Sequence, residues 1–124
     1  MRLFTVSEAE ALVPTIRERL LSIRRYYSVI DTYRPAARAA AEASISGGGM
    51  AGGSHYLRAL YDVGRLTTEI NDLGVQLKDH SQGLVDFPSM RDGRVVLLCW
   101  KLGEPEEIAW WHEVDAGFAG RQPI

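Results

Sequence analysis

Hydrophobic side chains recur at steps of three and four residues through the first third of the chain. The residues at this spacing are Leu12, Ile16, Leu20, Ile23, Tyr27 and Ile30. They share one stripe of an α-helix, which must be buried against another part of the protein. The helix is predicted to begin near Val6, because Thr5 and Glu8 have the residue types and spacing of a capping box. It is predicted to run to about Tyr33 and to continue to about Ser44.

Proline and glycine residues divide this helical region. Pro14 lies too deep for the first turn and removes a backbone hydrogen bond, so it predicts a kink. The glycine-rich residues 46–54 predict a flexible connector. A second stripe follows at Leu60, Val63, Leu66 or Thr67, Ile70 and Leu73. Gly74 is suited to the C-cap of that second helix, and the two helices predict an antiparallel hairpin over about residues 6–74.

After Gly74 the hydrophobic period changes from about 3.6 to 2, which is typical of β-strands. Strands are predicted at Leu84–Phe87, at Arg94–Trp100 and again from Ile108 to Val114. A turn is predicted over Pro88–Gly93, whose Asp-Gly pair favours a tight hairpin. Residues 75–124 therefore predict a short antiparallel meander of three to four strands followed by a tail.

These elements together predict the α+β class: a long, kinked helical hairpin packed on the meander. The length of 124 residues suits one domain, so residues 1–124 are expected to form a single unit. The tail, Asp115–Ile124, is too rich in glycine for a helix, and we expect it to fold back over the sheet or to reach a partner. An apolar helix stripe that the sheet leaves uncovered favours self-association into a homodimer or a higher oligomer.

Composition narrows the range of partners and compartments. The hydrophobic fraction of 46% is ordinary for a globular protein, and the net charge of −2 gives no field that favours nucleic acid or an anionic membrane. Cys99 is the only cysteine, and without a second one it cannot form an internal disulfide. No apolar run is long enough to cross a membrane and the amino terminus does not resemble a signal peptide. A cytoplasmic location is expected.

Two blocks of the sequence resemble a known family. GLVDFPSMRDGRVVLLCWKLGEPEEIAWWHEVDAGFAGRQPI and FTVSEAEALVPTIRERL are similar to the closing and opening segments of an uncharacterised prokaryotic family catalogued as domain of unknown function 2203. The Glu106-Glu107 doublet makes one turn a residue longer than is usual in that family. The resemblance implies that the two blocks occur together in bacterial proteins, and it implies no activity, cofactor or catalytic residue.

Histidine and carboxylates near the C-terminus are the first candidate for chemistry. His112, Glu113, Asp115 and Asp86 have the residue types that bind a divalent metal or exchange protons. On a strand, however, His112 and Glu113 point to opposite faces, so a metal would need a ligand from elsewhere. The candidates for that ligand are Asp86, His80, Cys99 and Glu104. The alternative is a structural histidine packed among aromatic rings.

Aromatic side chains and arginine are the second candidate. The candidates for the aromatic wall of a ligand site are Trp100, Trp110, Trp111 and Phe118, with His112 beside them. Arg94 or Arg121 is predicted to bind the carboxylate or phosphate of a small anionic ligand there. The alternative for Arg121 is an ion pair with Asp86, Glu113 or Asp115. A thiolate–imidazole pair of Cys99 with His112 is a further alternative, although a buried thiol is normally inert.

The sequence therefore favours a self-associating interaction or small-ligand-binding module. The alternative is a small metal-dependent or acid-base enzyme with its site around His112 and the tail; no catalytic residue is assigned. Nucleic-acid binding through Arg17, Arg24, Arg25 and Arg34 is a third reading, which the overall charge disfavours.

Overall fold

A computed structural model describes residues 1–43 and 50–124 of the chain. It contains helices α1 (Val6–Glu42) and α2 (Gly53–Asp72), strands β1 (Gln76–Asp79), β2 (Leu84–Arg91), β3 (Arg94–Lys101), β4 (Trp110–Glu113) and β5 (Gln122–Pro123), and a 3-10 helix, Phe118–Gly120. The strands form one antiparallel sheet in the order β1-β2-β3-β4-β5. The α+β class with a helical hairpin and an antiparallel sheet is confirmed, and the sheet has five strands rather than three to four.

The start of α1 is the capping box that the sequence predicts. The Thr5 hydroxyl accepts the Glu8 amide at 3.1 Å, and the Glu8 carboxylate accepts the Thr5 amide at 2.8 Å. These hydrogen bonds to Thr5 stabilise the ionised form and lower the pKa of Glu8. The helix is continuous past both Pro14 and Pro35 to Glu42, and the kink at Pro14 stays a prediction.

The two helices lie antiparallel, as contacts at both ends of the hairpin show. Arg19 of α1 forms an ion pair of 3.0 Å with Glu69 near the end of α2. At the other end, the ring of Tyr33 stacks on that of His55, near the start of α2. Neither described helix combines the length and the apolarity that a segment crossing a membrane needs.

Glycines mark the two ends of α2. Gly52 precedes the helix with φ +77°, and Gly53 and Ser54 already belong to α2, so the predicted connector is shorter than residues 46–54. Residues 46–49 of that connector lie outside the described residues. Gly74 has φ +87° and donates its amide to the carbonyl of Asn71, which confirms the predicted left-handed conformation, although the C-cap itself is Leu73.

The β2–β3 hairpin turns at Asp92 and Gly93, as predicted. Both residues have positive φ, +52° and +78°, which is the geometry of a type I′ turn. The prediction that the turn begins at Pro88 is wrong, because Pro88 is a residue of β2 opposite Leu97. Its carbonyl accepts the Phe4 amide at 2.7 Å on the side away from β3. The nitrogen of Pro88 points to the same side, so its lack of a hydrogen costs no hydrogen bond to β3.

One face of the sheet packs against the helices and forms the core. The buried apolar residues of that core come from α1, α2 and alternate positions of the strands: Val13, Ile16, Leu20, Ile23, Leu66, Ile70, Val85, Phe87, Val96, Leu98, Trp100 and Trp111. Glu10 of α1 joins the two layers by accepting the Ile108 amide at 3.0 Å. The opposite face of the sheet is therefore the one available to the C-terminal tail.

Candidate functional site

Polar side chains that could bind a metal or exchange protons lie on the sheet face opposite the helices. Asp86 of β2 is directly opposite Cys99 of β3, which is in turn opposite Trp110 of β4. Residues directly opposite each other in neighbouring strands project from the same face. His112 lies two residues beyond Trp110 and so shares that face as well. Three strands thus bring Asp86, Cys99 and His112 together.

Asp86 and His112 form a buried pair. Their side chains are only 4% and 2% exposed, and Nε2 of His112 lies 3.0 Å from Oδ1 of Asp86. The other ring nitrogen, Nδ1, lies 2.7 Å from the carbonyl oxygen of Glu113. Because a carbonyl only accepts, Nδ1 carries a hydrogen and Nε2 faces the carboxylate. A proton or another cation must therefore lie between Nε2 and Oδ1, since both atoms are otherwise acceptors.

Cys99 completes the group. It is buried, and burial and the nearby Asp86 carboxylate raise the pKa of its thiol to about 12. At neutral pH the side chain is therefore a thiol close to the Asp86 carboxylate, which argues against a free thiolate nucleophile. The ligand atoms of Asp86, Cys99 and His112 all lie within 4.8 Å of one another. We refer to these three residues as the Asp-Cys-His cluster.

The C-terminal tail folds back over this face. β5 pairs with β4, and the amide of Ile124 donates to Ala109. The guanidinium of Arg121 lies over the rings of Trp110 and Phe118, at 4.9 and 4.6 Å from their centroids. These contacts hold the 3-10 helix and its Phe118 ring beside the cluster.

Arg121 forms an ion pair, but its partner is Glu104. Nη2 of Arg121 lies 2.9 and 2.7 Å from the two carboxylate oxygens of Glu104, which also accepts the amide of Lys101. The prediction of an ion pair therefore holds in kind, whereas the predicted partners Asp86, Glu113 and Asp115 were wrong. The pair fixes the tail to the turn after β3.

A cavity of about 170 Å³ opens beside the cluster. Asp86 and His112 contribute to one side of it, while Leu97 and Phe118 contribute apolar surface. Lys78 of β1 also lines this cavity, and within the described part of the chain no ion pair involves Lys78. Asp86 and His112 of the cluster thus border a small, mainly apolar space whose lining includes a lysine.

Three of the residues predicted for the site lie elsewhere. Glu113 projects to the other face, where it forms an ion pair with Arg94 that lowers the pKa of its carboxyl. Asp115 is exposed in the turn after β4. Trp100 is buried in the core and donates its indole N–H to the carbonyl of Pro105 at 2.8 Å. Of the predicted residues, the structure brings Asp86 and His112 into contact. Trp110 lies on the same face with Arg121 over its ring, but neither residue lines the cavity.

Two side chains near the cluster carry roles that sequence reasoning missed. The sequence pattern assigns no role to Lys78, and Glu104 is predicted only as an alternative metal ligand. His80, another alternative ligand, is stacked on Tyr27 at 3.8 Å between ring centroids. The alternation of β1 gave no usable signal for Lys78, because the register with β2 shifts between Leu77 and Asp79 and strict alternation does not hold there.

The cluster fits a transition-metal ion of the zinc class. Thiolate, imidazole and carboxylate are the ligand types of zinc sites, and three protein ligands with a fourth external position are typical of the catalytic kind. Ligands around such an ion lie about 3–4 Å apart, and the three ligand atoms of the cluster lie within 4.8 Å of one another. The bond from Nδ1 of His112 to a backbone carbonyl is the arrangement that orients a metal-binding histidine in known sites.

A family model described as "Uncharacterized conserved protein (DUF2203)" matches residues 2–124. No curated protein and no solved structure matches the chain.

Proposed function

Because this chain belongs to the uncharacterised conserved family DUF2203, we propose its function from the site itself: it binds one divalent ion of the zinc class through Asp86, Cys99 and His112. The observation that carries the proposal is the orientation of His112. Its Nδ1 hydrogen is committed to Glu113, so Nε2 directs a lone pair at Asp86 beside the Cys99 sulfur. A cation is the species that satisfies these facing acceptors.

The metal alternative that the sequence raised is therefore favoured over a purely structural histidine. A proton between Nε2 and Oδ1 satisfies the same two atoms, and it is the competing state that a metal must displace. The thiol of Cys99 separates the two cases, because sulfur binds zinc-class ions strongly and adds little to a proton-bridged pair. A thiol ligand also needs a reducing compartment, which supports a cytoplasmic location.

Cobalt titration of the metal-free protein tests this proposal. We expect one Co²⁺ per chain and a thiolate-to-cobalt charge-transfer band in the near ultraviolet. Cys99→Ser should remove the band, and His112→Gln should weaken binding by about 100-fold or more.

Glu113→Gln and Asp115→Asn are the matched controls. Both carboxylates are close to His112 in sequence, but one is paired with Arg94 and the other is exposed. Both variants should bind cobalt as the wild type does. Absence of the charge-transfer band in the folded wild-type protein would overturn the proposal.

Self-association is a second candidate, and the outer surface of α2 supports it. Leu57, Leu60 and Tyr61 are 66%, 42% and 65% exposed, and with Gly64 they follow one side of the helix at helical spacing. A groove of about 540 Å³ lies along this side. We propose that a second copy of the chain covers it.

The charges along α2 of one copy would be complementary to those along α2 of a second copy. In an antiparallel contact with a two-fold axis near Gly64, the Arg58 end of each copy faces the Glu69 end of the other. Arg58 is largely exposed and pairs with Asp62, and Glu69 is partly exposed and pairs with Arg19 and Arg65. A contact between copies would therefore add to ion pairs that each copy already forms by itself. A symmetric dimer with matching surface patches is the commonest closed assembly.

Gly64→Gln tests the dimer with little risk to the fold. A Cβ atom at Gly64 meets nothing within 4 Å, and replacing a helical glycine generally stabilises a helix by about 0.5–1 kcal/mol. We expect sedimentation to show a dimer for the wild type and a monomer for Gly64→Gln, with no loss of melting temperature. Met90→Ser, which changes an exposed residue of the sheet, should remain dimeric. A monomeric wild type at micromolar concentration would contradict the proposal.

A further inference from the structure

The cavity beside the Asp-Cys-His cluster has a composition that selects a particular class of ligand. Its walls include the apolar side chains of Leu84, Leu97 and Phe118, whereas Asp86 and His112 lie at one side. Lys78 also lines it. Polar groups at one side and apolar walls around the rest suit a short molecule with one polar end.

We propose that this cavity binds a short-chain aliphatic monocarboxylate whose carboxylate completes the coordination of the metal and contacts Lys78. The inference rests on the proposed function, since the metal bound by the cluster is one of the two positive groups that receive the carboxylate. Phe118 and Leu97 then contact the aliphatic part.

The charge of the site favours a single negative charge. A divalent ion is neutralised by the Asp86 carboxylate and by the Cys99 thiolate that forms on metal binding. Arg121 is neutralised by Glu104. Lys78 remains, because none of the ion pairs formed by the described residues includes it. One monoanion therefore balances the site, while a doubly charged phosphate does not.

The volume of the cavity indicates how much of a ligand it can cover. One water molecule takes about 30 Å³ of liquid volume, so a cavity of about 170 Å³ holds a molecule of roughly five or six non-hydrogen atoms. Propionate and butyrate are of this size. Formate fits as well, but it leaves the apolar walls without a partner and should bind more weakly, since each buried methylene contributes about 0.8 kcal/mol.

Ligand titration of the cobalt-loaded protein tests the inference. The probes are formate, propionate and butyrate, with propionamide as the uncharged analogue of propionate and inorganic phosphate as a different anion. We expect propionate and butyrate to shift the visible ligand-field band of cobalt at millimolar concentrations or below. Propionate should bind about tenfold more tightly than formate, as two buried methylenes imply, and propionamide and phosphate should leave the band unchanged.

Two variants and one control assign the contacts. Lys78→Met removes the charge with little change of length and should weaken propionate binding by about fivefold or more. Lys101→Met removes a second lysine, whose ammonium lies over the Phe118 ring and outside the cavity lining, and it should bind propionate as the wild type does. Phe118→Ala should abolish the preference for propionate over formate.

The outcomes separate this inference from the metal proposal. If cobalt binds with its charge-transfer band but no carboxylate shifts the ligand-field band, the inference is overturned and the metal site stands. Equal propionate affinity of Lys78→Met and the wild type, or binding of phosphate in preference to propionate, also overturns it. If cobalt does not bind at all, the metal proposal itself has failed.

Discussion

Replacing Asp86 with alanine is expected to lower the free energy of unfolding of the metal-free protein by about 3–5 kcal/mol. The change removes one partner of a pair whose side chains are 4% and 2% exposed. His112 then loses its hydrogen-bond partner in a place where water is largely excluded. Urea denaturation in the presence of a chelator measures the loss directly.

Asp86→Asn separates the loss of charge from the loss of the hydrogen bond. With an amide at this position, His112 can be neutral, keep its Nδ1 hydrogen on Glu113 and accept a hydrogen bond at Nε2. We therefore expect Asp86→Asn to lose less than about half as much stability as Asp86→Ala.

Asp115→Ala is the control for removal of a carboxylate. Asp115 is exposed, and its replacement should change stability by less than about 0.5 kcal/mol. A loss below about 1 kcal/mol for Asp86→Ala would mean that the pair contributes little to the fold.

Local sequence patterns predicted the parts of the fold that depend on neighbouring residues. The capping box needs only Thr5 and Glu8, and both of its hydrogen bonds form. The β2–β3 register is equally local, because a two-residue turn at Asp92 and Gly93 places Arg91 opposite Arg94 and so fixes every later pair of residues in the hairpin. Counting back from that turn pairs Asp86 with Cys99. That part of the cluster was therefore predictable from the turn alone.

The position of His112 was not predictable in the same way. Eight residues separate β3 from β4, and an irregular connection of that length leaves the register open. It is fixed by contacts distant in sequence, such as the bond from the Ile108 amide to Glu10, 98 residues earlier. Proximity in sequence instead suggested Glu113 and Asp115 as partners of His112. Strand alternation directs Glu113 to the opposite face, where Arg94 is its partner.

The path of the tail was only half predictable. Its glycines and Arg121 indicated a segment that folds back. The ion pair that holds the tail, however, is formed by Arg121 with Glu104, which lies in the turn after β3. β5 has only two residues, one of them proline, so no hydrophobic period marks it. Pro88 is a second residue whose place depends on a distant contact. Its residue type is typical of the start of a turn, but it is a strand residue whose carbonyl, on the side of β2 away from β3, accepts the Phe4 amide.

Metal binding to the Asp-Cys-His cluster is expected to release about two protons and so to strengthen by about 100-fold for each unit of pH. In the metal-free protein Cys99 holds one proton, because burial and Asp86 raise the pKa of its thiol to about 12. A second proton lies between Nε2 of His112 and Oδ1 of Asp86. A metal ion that takes all three ligand atoms must displace both.

The direction in which metal affinity changes with pH depends on which state holds more protons. The metal-free state binds more protons than the metal-bound state, so raising the pH favours the bound state wherever the metal-free protein keeps both of them. Competition with a chelating dye between about pH 6 and pH 8 measures the slope. Calorimetry in buffers of different protonation enthalpy counts the protons independently.

Cys99→Ser distinguishes the two sources of protons. A serine hydroxyl keeps its proton far more strongly than a thiol, so this variant should bind zinc more weakly and release about one proton, with a slope of about tenfold per pH unit. Glu113→Gln should keep the full slope, because Arg94 holds that carboxylate on the other face of the sheet. A wild-type slope near zero would contradict both the thiol ligand and the shared proton, since either one alone requires affinity to rise with pH.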